Sequence, residues 1–237
     1  MKNLKAVLLD AEGTFIHIHP SVGDVYAYVL SQYGLQCSPD KINKAFFTIW
    51  NRAKTKRKKE ISRDTNYLFW KEIFLETIAG SVELQDPETI FKDCYQEFSK
   101  KRWWKLAEGI VETLKKWKSD GLLIGIVSNW DERLFDLLDE FDIKEYFDTV
   151  TISTEVGLEK PDPKIVELAC SNLGVAPSQA VMIGDSLELD HPAALSAGCS
   201  SILYDPRGNI PNSYCRIKDF NAVGDKEKLI KVISGTS

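Results

Sequence analysis

The chain has 237 residues, with 30 Lys or Arg against 35 Asp or Glu, a net charge of −5 with the histidines neutral, and 43% hydrophobic residues. That balance supports a sizeable core and excludes a disordered, collagenous or disulfide-scaffold protein. The acidic surplus argues against a dedicated nucleic-acid binder, and the five scattered cysteines, Cys37, Cys94, Cys170, Cys199 and Cys215, read as reduced thiols of a cytoplasmic protein.

The first apolar run, Ala6–Leu9, meets Asp10 too soon for a signal peptide or a membrane span. It matches a short buried strand instead. Four further runs of that kind follow: Leu122–Val127, the weaker Thr149–Ile152, Ala180–Ile183 and Ser201–Tyr204. Between the first and second, from about Ser21 to Trp104, the sequence shows helical periodicity and many aromatics but no strand-like run. We therefore expect an all-helical cap, residues 16–104, inserted into an α/β core formed by residues 1–15 and 105–237, with hinges near Phe15–Pro20 and Lys100–Lys105. The cap carries a basic cluster, Arg52, Lys54, Lys56, Arg57, Lys58, Lys59 and Arg63, read as a solvated helix face that could draw in anionic substrates.

From Glu108 onward, strands alternate with helices. One helix is expected over Gly109–Ser119, ended by Asp120-Gly121. Another covers Lys164–Leu173, where Asp162 can cap, Pro163 suits the first turn and Gly174 closes. Such alternation implies a Rossmann-like parallel sheet with helices on both faces.

Polar residues stand where the apolar runs end: Asp10, Ser128 and Asp185. In an open parallel sheet the carboxyl ends of the strands share one edge, and ligands bind in the crevice there. Asp10-Ala11-Glu12-Gly13-Thr14 places two carboxylates close together, as a nucleophile and a proton donor require. Gly184–Asp190 adds Asp185 and Asp190, with Glu188 read as solvent-facing or a water-mediated neighbour of the metal, and so many acids in one crevice call for a hard divalent cation. Lys160, held extended by Pro161, and Ser128-Asn129, with its hydroxyl and backbone N–H groups, complete a set suited to phosphoryl transfer.

These four blocks stand in the order found in the haloacid dehalogenase superfamily, and the chain resembles its phosphatases with a helical, C1-type cap. Ser128–Asp131, Asp185–Glu188 and Tyr67–Trp70 look most similar to the eukaryotic-type subfamily of domain-containing and rhythmically expressed hydrolase-like proteins. The resemblance implies that Asp10 attacks phosphorus to form an aspartyl phosphate and that Glu12 protonates the leaving oxygen and later activates water. Ser128 and Lys160 would hold the phosphoryl group, with Thr14 orienting the loop and Asn129 contributing to substrate binding. Mg²⁺ would be held by Asp10, the backbone carbonyl of Glu12 and Asp185, with Asp190 nearby. The implied substrate is a small phosphorylated metabolite, with no membrane partner.

Two departures stand out: Glu12 occupies a position where most superfamily phosphatases have Asp, and Leu189-Asp190-His191-Pro192 replaces a more polar, Gly-containing turn. The alternatives are a metal-independent dehalogenase, a phosphomutase, and an inactive scaffold that binds RNA or a partner.

Overall fold

The computed structural model describes residues 3–53 and 60–235. Lys54, Lys56, Arg57, Lys58 and Lys59 of the basic cluster therefore lie outside the described residues. In chain order the elements begin with β1 (Ala6–Leu9), β2 (Ile16–Ile18), α1 (Val22–Gln32), α2 (Pro39–Ala53), α3 (Arg63–Ile78), α4 (Pro87–Glu97) and β3 (Trp104–Leu106). They continue with α5 (Ile110–Ser119), β4 (Leu123–Ser128), α6 (Arg133–Glu140), β5 (Thr149–Ile152), α7 (Ser153–Val156) and α8 (Lys164–Asn172). The last are β6 (Ala180–Gly184), α9 (Asp190–Ala197), β7 (Ser200–Tyr204), β8 (Arg216–Ile217) and α10 (Lys226–Ser234).

The chain divides into two compact units. The first comprises Met1–His17, Leu106–Trp130 and Asp142–Ser237; the second comprises Ile18–Lys105 and Asp131–Phe141.

The first unit is built on a parallel sheet in the order β5-β4-β1-β6-β7-β8. Every residue of β1 is fully buried, which is why this strand is apolar throughout rather than alternating. Leu8, Val127 and Met182 pack with Ile165, Val166 and Ala169 of α8 and Ala193 and Ala194 of α9. Trp117 of α5 is also fully buried, and its indole N–H donates to the Val223 carbonyl at 2.8 Å, so its polar edge is satisfied inside the core.

From β1 the chain builds outward to β4 and β5, then returns to β6, β7 and β8 on the other side of β1. Strand order reverses between β1 and β6, and that reversal opens a crevice at their carboxyl ends. Leu9 is in register with both Ile126 and Ile183, so β1, β4 and β6 end within two residues of one another.

The second unit is helical. Its core gathers Tyr26, Val29 and Leu30 from α1, Ile42 from α2, Phe74 and Ile78 from α3, and Ile90, Phe91, Cys94 and Tyr95 from α4. Local sequence starts these helices cleanly. Ser21 accepts the Asp24 N–H, Ser62 and Thr65 form a reciprocal capping box, and Asp86 caps a helix whose first residue is Pro87.

Residues 131–141 group with this unit although they follow β4 in sequence. Asp131, wholly buried, receives Asn66 Nδ2 at 2.7 Å and both Nε and Nη2 of Arg133 at 2.7 Å. The guanidinium also lies 3.7 Å from the Tyr95 ring centroid. Burial opposes the Asp131 charge, but Arg133 outweighs it and holds the carboxyl below the usual aspartate range.

The strands read from sequence are present, with bounds that match or differ by a residue, whereas β2, β3 and β8 are too short to show a period. Asp162 accepts the Lys164 N–H at 2.9 Å at the start of α8. Among the described residues all five cysteines are free, and no helix is long and apolar enough to cross a membrane.

Asp131→Ala leaves Arg133 buried without its counter-charge, and a loss of about 3–5 kcal/mol in urea unfolding at pH 7 is expected. Because the folded pKa of Asp131 is depressed, its contribution is present above the unfolded value and is lost as pH falls through the folded one. The gap between wild type and variant should therefore narrow in strong acid.

Candidate active site

The crevice receives side chains from three strand ends and two loops, all within the first unit. Asp10 follows β1, and its N–H donates to the Ile183 carbonyl of β6 at 2.9 Å, which fixes its backbone at the point where strand order reverses. Ser128 is the last residue of β4 and donates its hydroxyl to Asp10 Oδ1 at 3.1 Å. Thr14 donates to Asp10 Oδ2 at 3.2 Å. Both carboxylate oxygens of Asp10 are thus oriented by hydroxyls.

Lys160 lies across the same space and is only 3% exposed. Its ammonium meets Asp10 Oδ1 at 2.5 Å, Asp190 Oδ1 at 2.6 Å and the Val127 carbonyl at 2.9 Å. Two of these contacts, to Asp10 and the Val127 carbonyl, are hydrogen bonds, and the third, to Asp190, is an ion pair. Burial works against its charge, but Asp10 and then Asp190 prevail and hold the lysine pKa above its ordinary value. Asp10 shows the converse: burial pushes its carboxyl up, and the Lys160 charge opposes that rise.

Asp10, Asp185 and Asp190 each offer an oxygen within 4.8 Å of the others. Two glycines permit this crowding. Gly13 has φ +88°, and a methyl group there would lie 2.6 Å from Asp185 Oδ2; one on Gly184 would lie 2.4 Å from Asp190 Cγ. Asp190 stands at the start of α9 and accepts the Ser186 N–H at 2.9 Å.

Asp185 and Glu12 are the exposed members of the group. The surrounding protein still displaces enough water to raise both. Asp185 is pushed up to about 8, first by desolvation and then by the charges of Asp10, Asp190 and Glu12. Glu12 is pushed up to about 7 by desolvation and then by Asp10. An all-oxygen donor set whose members resist ionising together fits a hard divalent cation such as Mg²⁺. The carboxylate of Glu12 is not among the three clustered groups; the sequence reading assigns its metal contact to the backbone carbonyl.

The structure therefore brings together Asp10, Thr14, Ser128, Lys160, Asp185 and Asp190, with Glu12 close enough for its charge and that of Asp10 to interact. Asn129 is joined to the backbone of Lys160. Glu188 and Leu189 are exposed. Sequence reasoning missed the Val127 carbonyl as a lysine acceptor and Gly184 as the spacer that admits Asp190. Only the glycine carried a signal, as a small residue directly before the second acidic block.

A carboxylate-rich crevice with a buried lysine thus lies at the switch point of a parallel α/β sheet, the place where enzymes of this architecture bind their ligands. The model of the haloacid dehalogenase-like hydrolases matches residues 4–198, and the chain belongs to that family. The haloacid dehalogenase-like hydrolase domain-containing protein 3 of Mus musculus is 31% identical over 205 residues, covering 84% of this chain and 81% of that protein. It represents the domain-containing subfamily that the motif blocks resemble. A phosphoglycolate phosphatase of Nitrosococcus oceani is 29% identical over 201 residues, covering 83% and 82%. In fold, the chain is similar to a HAD phosphatase from Thermococcus onnurineus, with a TM-score of 0.64 and 24% identity over 93% of this chain and 96% of that one.

Lys160→Met removes the buried cation that Asp10 and Asp190 share, and a loss of about 3–5 kcal/mol at pH 7 is expected. In wild type the Lys160 charge opposes the rise that burial gives the Asp10 pKa; without that charge Asp10 holds its proton more tightly still in the folded chain, so the gap between variant and wild type should narrow between pH 7 and pH 5. Urea titrations of both proteins at the two pH values read the difference directly.

Proposed function

We propose that this hydrolase is a Mg²⁺-dependent phosphatase that releases phosphate from a small phosphorylated metabolite by way of an aspartyl phosphate on Asp10. The observation that carries the reading is the convergence of three carboxylates with one buried lysine on the Asp10 side chain. The relative named as a phosphoglycolate phosphatase supports the same class of reaction. Five free cysteines support a cytoplasmic setting.

Asp10 is aligned by Ser128 and Thr14 before any substrate arrives, so little reorganisation precedes attack. Its oxygen attacks phosphorus, and the bond to the leaving oxygen breaks as Glu12 delivers a proton to that oxygen. Glu12 then takes a proton from water, which attacks the aspartyl phosphate and frees phosphate, restoring Asp10. A carboxyl raised to about 7 suits a group that must give and then take a proton near neutrality. Ser128 and the Lys160 ammonium bind the phosphoryl oxygens, a role supported by their contacts with Asp10. Asp10, Asp185, Asp190 and the Glu12 backbone carbonyl would hold Mg²⁺, which when bound supplies positive charge to offset that of the carboxylates and phosphoryl oxygens.

The test is phosphate release from a panel of phosphorylated metabolites and 4-nitrophenyl phosphate, with Mg²⁺ or with EDTA, by wild type and Asp10→Asn. Metal-dependent release that the substitution abolishes is expected. Folded wild type that releases nothing from any compound would overturn the reading in favour of a binding scaffold, and isomerised product without free phosphate would make the protein a mutase.

Two further outcomes follow from the geometry. Mg²⁺ should raise the melting temperature of wild type, and Asp185→Asn should remove most of that shift. Glu12→Gln should lower kcat by about 10²–10⁴-fold. Because the first step needs Glu12 protonated, kcat/KM of wild type should fall as pH rises through about 7, and this limb should vanish in the variant.

A further inference from the structure

The Lys160 ammonium sits at the end of a flexible four-carbon stem, so its position between Asp10 and Asp190 depends on what fixes its backbone. Pro161, which follows, has no N–H and restricts Lys160 to extended backbone without anchoring it to anything. The anchor is Asn129. The Lys160 N–H donates to Asn129 Oδ1 at 2.8 Å, and Asn129 Nδ2 donates back to the Lys160 carbonyl at 2.9 Å. One side-chain amide thus closes on both polar groups of a single residue, as a neighbouring strand would.

The arm of this clamp is itself held on both sides. Ser128 ends β4 and bonds to Asp10, while the Trp130 carbonyl accepts the Ser153 hydroxyl at 3.2 Å, the Thr154 N–H at 3.3 Å and the Thr154 hydroxyl at 3.2 Å. Asn129 lies between these two fixed points, and the loop bearing Lys160 is the part it holds.

We propose that Asn129 is a positioning residue: its amide clamps the Lys160 peptide and so sets the ammonium against Asp10 and Asp190, rather than contacting substrate. This inference rests on the phosphatase reading for its kinetic consequence, but its structural content can be tested separately. Displacing a reacting group by about 1 Å can cost up to about 10²-fold in rate. The effect falls mainly on kcat, because the lysine's contact with the transferring phosphoryl group strengthens in the transition state while the rest of the substrate is bound by other groups.

The experiment uses the full chain with Mg²⁺ and 4-nitrophenyl phosphate, comparing wild type, Asn129→Ala, Lys160→Ala and the double variant. Asn129→Ala should lower kcat by about 10–10²-fold with KM nearly unchanged. The double variant should be no slower than Lys160→Ala alone, because Asn129 acts only through that lysine. Asn129→Asp, which keeps the acceptor for the Lys160 N–H and loses the donor, should fall between wild type and alanine. A raised KM with kcat retained, or losses that multiply in the double variant, would overturn the proposal in favour of a substrate contact.

The second readout needs no turnover: acylation by acetic anhydride, mapped by mass spectrometry. Lys160 should be protected in wild type and modified at least about tenfold faster in Asn129→Ala, while the other lysines are unchanged. Equal protection in both folded proteins would overturn the clamp. If wild type releases no phosphate, this labelling decides the positioning role while the phosphatase reading fails by itself. Should Asn129→Ala not fold, Asn129→Asp carries both measurements with the same expected directions.

Discussion

One ammonium, that of Lys160, touches two buried carboxylates and a strand carbonyl at the point where the sheet reverses its order. A buried ion pair adds little net stability, since desolvation offsets most of the attraction, but breaking one is expensive. The site is therefore held by a constraint more than by a bonus: Asp10 and Asp190 can approach each other only while the lysine lies between them. Everything else in the crevice is arranged around that fact, including the hydroxyls of Ser128 and Thr14 and the Asn129 clamp on the lysine loop.

The lysine leaves the acidic account unbalanced, and the imbalance has chemical meaning. Asp185 and Glu12, displaced upward to about 8 and about 7, are carboxyls that resist ionising beside charges already present. A hard cation would offset those charges and favour ionised aspartates around Asp10. Under the proposed mechanism the raised pKa of Glu12 suits both the acid and the base role, and Gly13, at φ +88°, turns the backbone sharply beside it.

Much of this was legible before any coordinates. A polar residue directly after an apolar run must sit at the carboxyl edge of a buried parallel strand, and that rule placed Asp10, Ser128 and Asp185 together. The helical character of the insert was equally plain from its periodicity. Other features were not legible, because they are tertiary. Nothing in the sequence near Asn129 says that its amide faces the peptide of a residue 31 positions later. The two-stranded β2-β3 ladder is too short to carry a period. Nor does α6, an ordinary amphipathic stretch after β4, announce that its buried Asp131-Arg133 entrance belongs with Asn66 and Tyr95.

That last feature bears on how such a protein can be taken apart and recombined. The helical unit is not one uninterrupted insertion, because the chain enters it at Ile18 and again at Asp131. Exchanging residues 18–105 alone for the counterpart from a relative would take away Asn66, which donates to Asp131, and the Tyr95 carbonyl, which accepts from Arg133, and leave a buried ion pair without its outer partners. The transferable piece is discontinuous, and modularity in this architecture is a property of packing rather than of contiguous sequence.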